Sequence, residues 1–257
     1  MFYCGYRKFY PNYHVHYGWQ SRWSRPFFQH KKKRKKMRFF FFLLMLVLIF
    51  GSLVVGAFYL IAQLLGRINL NPESPAWKKT LEGLRDKVKA QAAGALVPWD
   101  KEMLSLLSLN RSNVKKPGFF NSTAEGVFTT IFQEPVLAYA EQKSGGTGVI
   151  VARTSDREFI FRQKGKETEI WLNGQPFGVF VETSLLAAGK TSRLLARIEK
   201  KPGEPQFHVL LGDAVVASIA NPALVDSPNP RALTLLRDVS SEEESILLAL
   251  TILVVVR

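Results

Sequence analysis

The side chains able to do nucleophilic, acid–base or metal chemistry are few and scattered. Beyond residue 66 the chain has no Cys and a single His, His208. A lone His within a strand reads as structural rather than catalytic. Cys4, His14 and His16 are metal-ligand types, but their spacing fits no zinc pattern and the segment lacks a scaffold. One Cys in 257 residues excludes an intrachain disulfide framework and a Cys-rich zinc site. No cofactor and no metal are expected, and no motif here defines an enzyme.

The sharpest motif is Ser184-Leu185-Leu186-Ala187-Ala188-Gly189-Lys190-Thr191. It matches a phosphate loop, GxxxxGKT, with Ser where the first Gly belongs. A strand over Phe177–Val181 precedes it, Ser192–Lys200 is a possible helix, and Phe207–Asp213 could mimic a metal-binding strand. The first Gly normally lets the backbone turn around the phosphate, so its absence favours a long loop. A nucleotide-binding or enzymatic domain built on residues 184–191 is the alternative to a non-catalytic one. Gly145-Gly146-Thr147-Gly148 precedes no helix and reads as a turn. Asn110-Arg111-Ser112 and Asn121-Ser122-Thr123 are sequons, meaningful only in a eukaryotic secretory lumen. Arg153, Arg157, Arg162, Lys164 and Lys166 make a basic strip around one hairpin, usually a solvated face and here the best candidate for an anionic ligand.

The elements that must position these groups begin with an asymmetric distribution of charge. The chain carries 35 Lys/Arg and 21 Asp/Glu, a formal charge of +14. Residues 1–38 hold 11 of the cations and no acid, so the remainder carries 24 − 21 = +3. Eleven of residues 1–28 are aromatic without helical or strand period, which predicts a disordered or interfacial tail. The polybasic run Lys31, Lys32, Lys33, Arg34, Lys35, Lys36 and Arg38 follows. Residues 39–66 are then 28 uncharged residues, long enough to cross a bilayer with tilt. The apolar run is about twice the usual h-region length, which argues against a cleaved signal peptide. Eight Lys/Arg lie in 24–38 and three in 67–81, which predicts a cytoplasmic N-terminus, an extracytoplasmic C-terminal domain and a cell-membrane location. A basic run can also bind nucleic acid or act as a nuclear signal. Beside a span, anionic lipid headgroups are the nearer partner, and nucleic acid is not expected.

Residues 67–117 read as a helical stalk and linker. Ser74 is the expected N-cap and Pro75 the first helical residue, with Trp77, Leu81, Leu84 and Val88 on one face and Gly94 as the stop. Such a stripe packs on its own domain or pairs as a short coiled coil. A short helix after Asp100 presents Met103, Leu104, Leu106 and Leu107, and Asn110 ends it.

From Gly118 the period becomes that of strands: 126–132, 136–140, 149–153, 158–161, 169–172, 177–181, 193–198, 207–211 and 215–220. Asn173-Gly174 and Gly212-Asp213 signal two hairpins, which resemble an internal repeat. Ser241-Glu242-Glu243-Glu244 reads as a capping box, Ser241 at the N-cap and Glu244 at N3, and these acids serve a helix start better than a catalytic pair. Residues 245–256, SILLALTILVVV, are apolar on every face and too short to span a bilayer. Thr251, Ile252 and Val254–Val256 favour a strand, but the acidic cap tips the segment toward helix. A helix without a polar face must be enclosed. The predicted fold is a single transmembrane helix plus a mainly-β domain at 118–257, a closed antiparallel barrel around the C-terminal helix.

Repeated hairpins, an acidic cap and a final apolar helix over residues 118–257 resemble the tubby-like barrels. That group includes tubby C-terminal domains, plant LURP-one-related proteins and phospholipid scramblases. The resemblance implies about twelve strands around a central C-terminal helix. It also brings phosphoinositide binding through basic side chains, as in tubby domains, although no positions here match residue by residue. The calcium segment and Cys-rich stretch of scramblases are absent. The expectation is a membrane-anchored, non-catalytic module for a ligand, lipid or protein, with a structural component of a membrane complex as a further alternative.

Overall fold

The computed structural model describes residues 30–65, 68–92, 96–118, 121–189, 192–225 and 229–256. The aromatic tail, with Cys4, His14 and His16, lies outside the described residues, as do Lys190 and Thr191. The chain divides after Ala57 into two units, each described by itself.

The first unit holds most of α1, His30–Leu65. The backbone of the basic run Lys31–Lys36 forms its first turns. Arg38–Ile61 within it has a mean hydropathy of 2.8 and no buried share, and is long and apolar enough to cross a membrane.

In the second unit, α2 (Pro75–Gln91) starts where the sequence predicts. Ser74 Oγ accepts from Trp77 N–H at 3.1 Å, and Pro75 occupies the first turn, where its missing N–H costs nothing. The helix stops at Gln91 with Ala92 as C-cap, and the predicted stop, Gly94, lies outside the described residues. α3 is short, Lys101–Leu106, capped by Asp100 Oδ1 on Glu102 and Met103 N–H. It ends before Leu107, not at Asn110, because Leu107 turns extended and begins a strand.

Twelve strands follow in one antiparallel sheet whose spatial order is the chain order. They are β1 (Leu107–Pro117), β2 (Ser122–Thr130), β3 (Pro135–Ser144), β4 (Thr147–Arg153), β5 (Glu158–Lys164) and β6 (Glu167–Leu172). β7 (Gln175–Val181), β8 (Ser184–Ala187), β9 (Leu194–Glu199), β10 (Gln206–Leu211), β11 (Ala214–Ala220) and β12 (Leu233–Leu235) complete it. All nine predicted strands are present, and β1, β8 and β12 are additional. Residues 107–117, read as linker, are thus part of the sheet. Both predicted hairpins form. Asn173 (φ 50°) and Gly174 (φ 78°) make the two-residue β6–β7 turn, the pair of left-handed residues a type I′ turn requires. Gly212 alone is left-handed (φ 62°) in the β10–β11 turn, as type II′ requires.

The sheet curls until its ends nearly meet. Ala232 N–H donates to Leu107 O at 2.7 Å, Leu109 N–H to Pro230 O at 2.8 Å, and Ser108 bridges Arg231. The result is a nearly closed barrel. α4 (Ser241–Val256) is buried over most of its length. Its side chains share one core with at least one residue from every strand, from Leu107 on β1 through Phe128, Leu137, Phe159 and Ile198 to Leu233 on β12. This resolves the choice at 245–256 in favour of helix.

A smaller core lies on the other face of β3–β6. There α2 buries Trp77, Leu84 and Val88 against Ala138, Ala140, Val149, Val151 and Ile160. The small residues of β3 let the helix approach closely. The apolar stripe of α2 therefore covers its own domain.

Candidate functional site

The five predicted cations do not form one strip. Arg153 is exposed at the end of β4, and Arg157 is half-buried in the turn that follows. Lys164 and Lys166 are exposed at the far end of β5, about 20 Å of strand away. Arg162, between them, is engaged: it pairs with Glu169, donates to Leu70 O at 2.7 Å, and lies 4.9 Å from the Trp171 ring centroid and 6.0 Å from that of Trp77. It fixes α2 and its leading chain to the sheet. Only Arg153 and the Lys164–Lys166 turn remain open to an anion.

Arg157 is engaged at the start of α4. Its Nη1 donates to Glu244 Oε1 at 2.8 Å and to Ser245 Oγ at 3.3 Å, and its Nε to Asp156 Oδ2 at 3.1 Å. Trp99 Nε1 donates to the same Glu244 oxygen at 2.7 Å, while Trp99 N–H donates to Ser155 Oγ. Glu244 is 4% exposed. A carboxylate so buried in a first helical turn is stabilised by two donors and the positive helix end.

The cap lies one residue earlier than the sequence predicts. Glu243 N–H donates to Ser240 Oγ, and Ser240 N–H donates to Glu243 Oε2 at 2.8 Å. Ser240 and Glu243 are thus the capping box, not Ser241 and Glu244. Arg237 Nη2 also donates to Glu243 Oε1 at 2.6 Å. That donation, with the Ser240 amide, pulls the Glu243 carboxyl down to about 2.

At the other helix end, Arg111 of β1 donates to Val255 O, a cation on the negative end of the helix. Its guanidinium lies 5.5 Å from the Phe128 centroid and 5.9 Å from that of Tyr139. Tyr139 is 1% exposed and its hydroxyl makes no hydrogen bond among the described residues. Burial pushes its phenol up, with the Arg111 charge opposing and Glu141 adding to the rise. Glu141 is buried and pairs with Lys143 at 2.7 Å. Sequence reasoning gives Arg111, Trp99 and Tyr139 no such role and reads Glu244 only as a cap residue, since the contacts of Arg111, Trp99 and Glu244 join segments far apart in the chain.

The phosphate-loop reading of 184–191 is not met. Residues 184–187 are β8, paired with β7 and β9, and Leu194–Glu199 is a strand where the motif needs a helix. Gly145 and Gly146 form the β3–β4 turn, as expected. His208 stands in register between Glu199 and Ser218, residue types found in a nucleophile relay. A relay needs the imidazole bonded to both neighbours, and here Nδ1 is buried without a partner among the described residues. Among the described residues no group of three or more His, Cys, Asp or Glu is placed to hold a metal ion.

No family model, curated protein or solved structure matches this chain.

Proposed function

We propose that the chain is a single-pass membrane-anchored protein whose barrel is a non-catalytic binding module for a ligand, lipid or protein. The observation that carries the anchor is the helix segment Arg38–Ile61, uncharged after Arg38 and with every described side chain exposed. Phe39, Phe42, Val54 and Tyr59 are each more than half exposed. Such a surface is unfavourable in water and suited to lipid. The polybasic run before it supplies anionic-headgroup contacts, and its excess over the following segment favours a cytoplasmic N-terminus with the barrel on the other side. Twelve antiparallel strands in chain order with a buried C-terminal helix support a distant relationship to the tubby-like barrels.

Cys4, the single thiol, tests this reading. A membrane-impermeant maleimide should label it only after lysis, and alkaline carbonate should leave the protein with the membranes. Labelling in intact cells would invert the topology and place the barrel in the cytoplasm. Release by carbonate would remove the anchor altogether.

A further inference from the structure

Among the described residues, the backbone bonds of the barrel seam run over Leu107–Leu109 and Pro230–Ala232. β12 beside it is three residues long, while β1 runs on to Pro117. From Arg111 onward β1 pairs with β2, Arg111↔Phe128 through Pro117↔Ser122. On its other side, among the described residues, 111–117 meets no strand. Seven residues leave about 23 Å of open sheet edge. Residues 112–117 are all exposed, Val114 at 49%. An open edge is a template for an added strand.

Charge selects the partner. The segment carries Arg111, Lys115 and Lys116 and no acid. Arg111 is held at the end of α4 and Lys116 pairs with Glu125 of β2 at 3.5 Å, so Lys115 is the cation an incoming strand would meet. A second copy would set this same cationic segment against itself, and like charges on adjoining strands are destabilising. The tail 1–38, with eleven cations and no acid, is excluded on the same ground. Edge lysines and Pro117 also discourage indiscriminate pairing. An acidic strand meets no such barrier, because its carboxylates neutralise Lys115, while Lys116 on the opposite face already has Glu125.

We propose that the open edge of β1 takes up an extended acidic segment of another protein as an added strand, its carboxylates on the face of the sheet that carries Lys115. This rests on the reading of the barrel as a binding module and gives its partner a chemistry.

The test is amide hydrogen exchange on the full chain in phosphatidylcholine nanodiscs, with peptides alternating Thr and Glu or Thr and Lys. The Thr/Glu peptide should slow exchange across 111–117 by about tenfold or more, and the Thr/Lys peptide should not. Lys115→Glu should weaken or reverse that preference. Equal slowing by both peptides, or slowing by neither, overturns the proposal, whatever the variant does. Slowing confined to another part of the barrel overturns the edge and leaves the binding-module reading standing. Peptide bound to the basic run is separated by its position, 31–38.

Discussion

Arg157, in the turn after β4, holds the buried Glu244 carboxylate at the start of α4 at a distance of 2.8 Å. The two residues are 87 positions apart, and together they tie the barrel wall to the helix it surrounds. Both are largely withdrawn from solvent, Arg157 at 17% and Glu244 at 5% side-chain exposure. Removing one partner strands the other's charge.

Arg157→Ala is therefore expected to destabilise the folded domain by about 3 kcal/mol, since Glu244 keeps only the Trp99 indole as a donor. Glu244→Gln should cost less, because Arg157 keeps Asp156 as a counter-ion and the amide oxygen can still accept. In chemical denaturation the double variant should cost clearly less than the sum of the singles. Additive costs would mean that the pair contributes no coupling.

The helix cap predicts an acid sensitivity. Glu243 is held at about 2 against an ordinary 4.5, so its folded-state pKa is depressed. Its contribution is complete above pH 4.5, falls as the pH drops toward 2, and is gone below that. Between those values the wild type should lose more stability than Glu243→Gln. Ser240→Ala should cost about 1 kcal/mol, while Ser241→Ala stays within about 0.5 kcal/mol. Denaturation midpoints for the two serine variants decide which residue caps the helix.

The sequence and the structure agree where the signals are local. Ser74-Pro75 starts α2, and Asn173-Gly174 turns a hairpin, because each acts within a few residues. β1 is hidden in the sequence because residues 112–117 are exposed on both faces and show no alternation. β12 is too short to carry a period, and β8 is masked by its likeness to a phosphate loop. The cap register is ambiguous, since Ser240–Glu243 and Ser241–Glu244 both satisfy the S-x-x-E pattern. Tertiary contact decides it: Glu244 faces inward to Arg157 and leaves Glu243 for the cap. Arg111 and Val255, 144 residues apart, carry no sequence signal of their meeting.

The core helix should be indispensable. Leu250 and Leu247 are fully buried among the strands. Leu250→Ala is expected to cost about 3 kcal/mol. Deleting 245–257 removes most of α4 and should abolish cooperative unfolding, read as loss of a sigmoidal melt by near-ultraviolet circular dichroism. A truncated chain that still melts cooperatively would show that the barrel stands without its helix.

The outer layer makes a separate claim. Trp77 is 3% exposed and packs edge-on to Trp171 at 6.2 Å, with Arg162 beside both rings. Trp77→Ala should cost about 3 kcal/mol and free α2 from β3 and β4. Hydrogen exchange in α2 should then rise more than in α4, because the two helices belong to different cores.

Space between backbones sets the last prediction. A Cβ on Gly126 of β2 would stand 1.9 Å from Ser112 O and 3.1 Å from the Tyr139 ring. The nearest obstacle is the backbone of β1, which cannot swing aside as a side chain could. Gly126→Ala should therefore push β1 away from β2 and cost at least about 1–3 kcal/mol. A Cβ on Gly146, in the β3–β4 turn, would meet nothing within 4 Å, and the backbone there is not left-handed, so Gly146→Ala should stay within about 0.5 kcal/mol. Thermal melts of the two variants make the comparison. Equal melting temperatures would mean that β1 yields freely at Ser112 and that its pairing with β2 adds little to the fold.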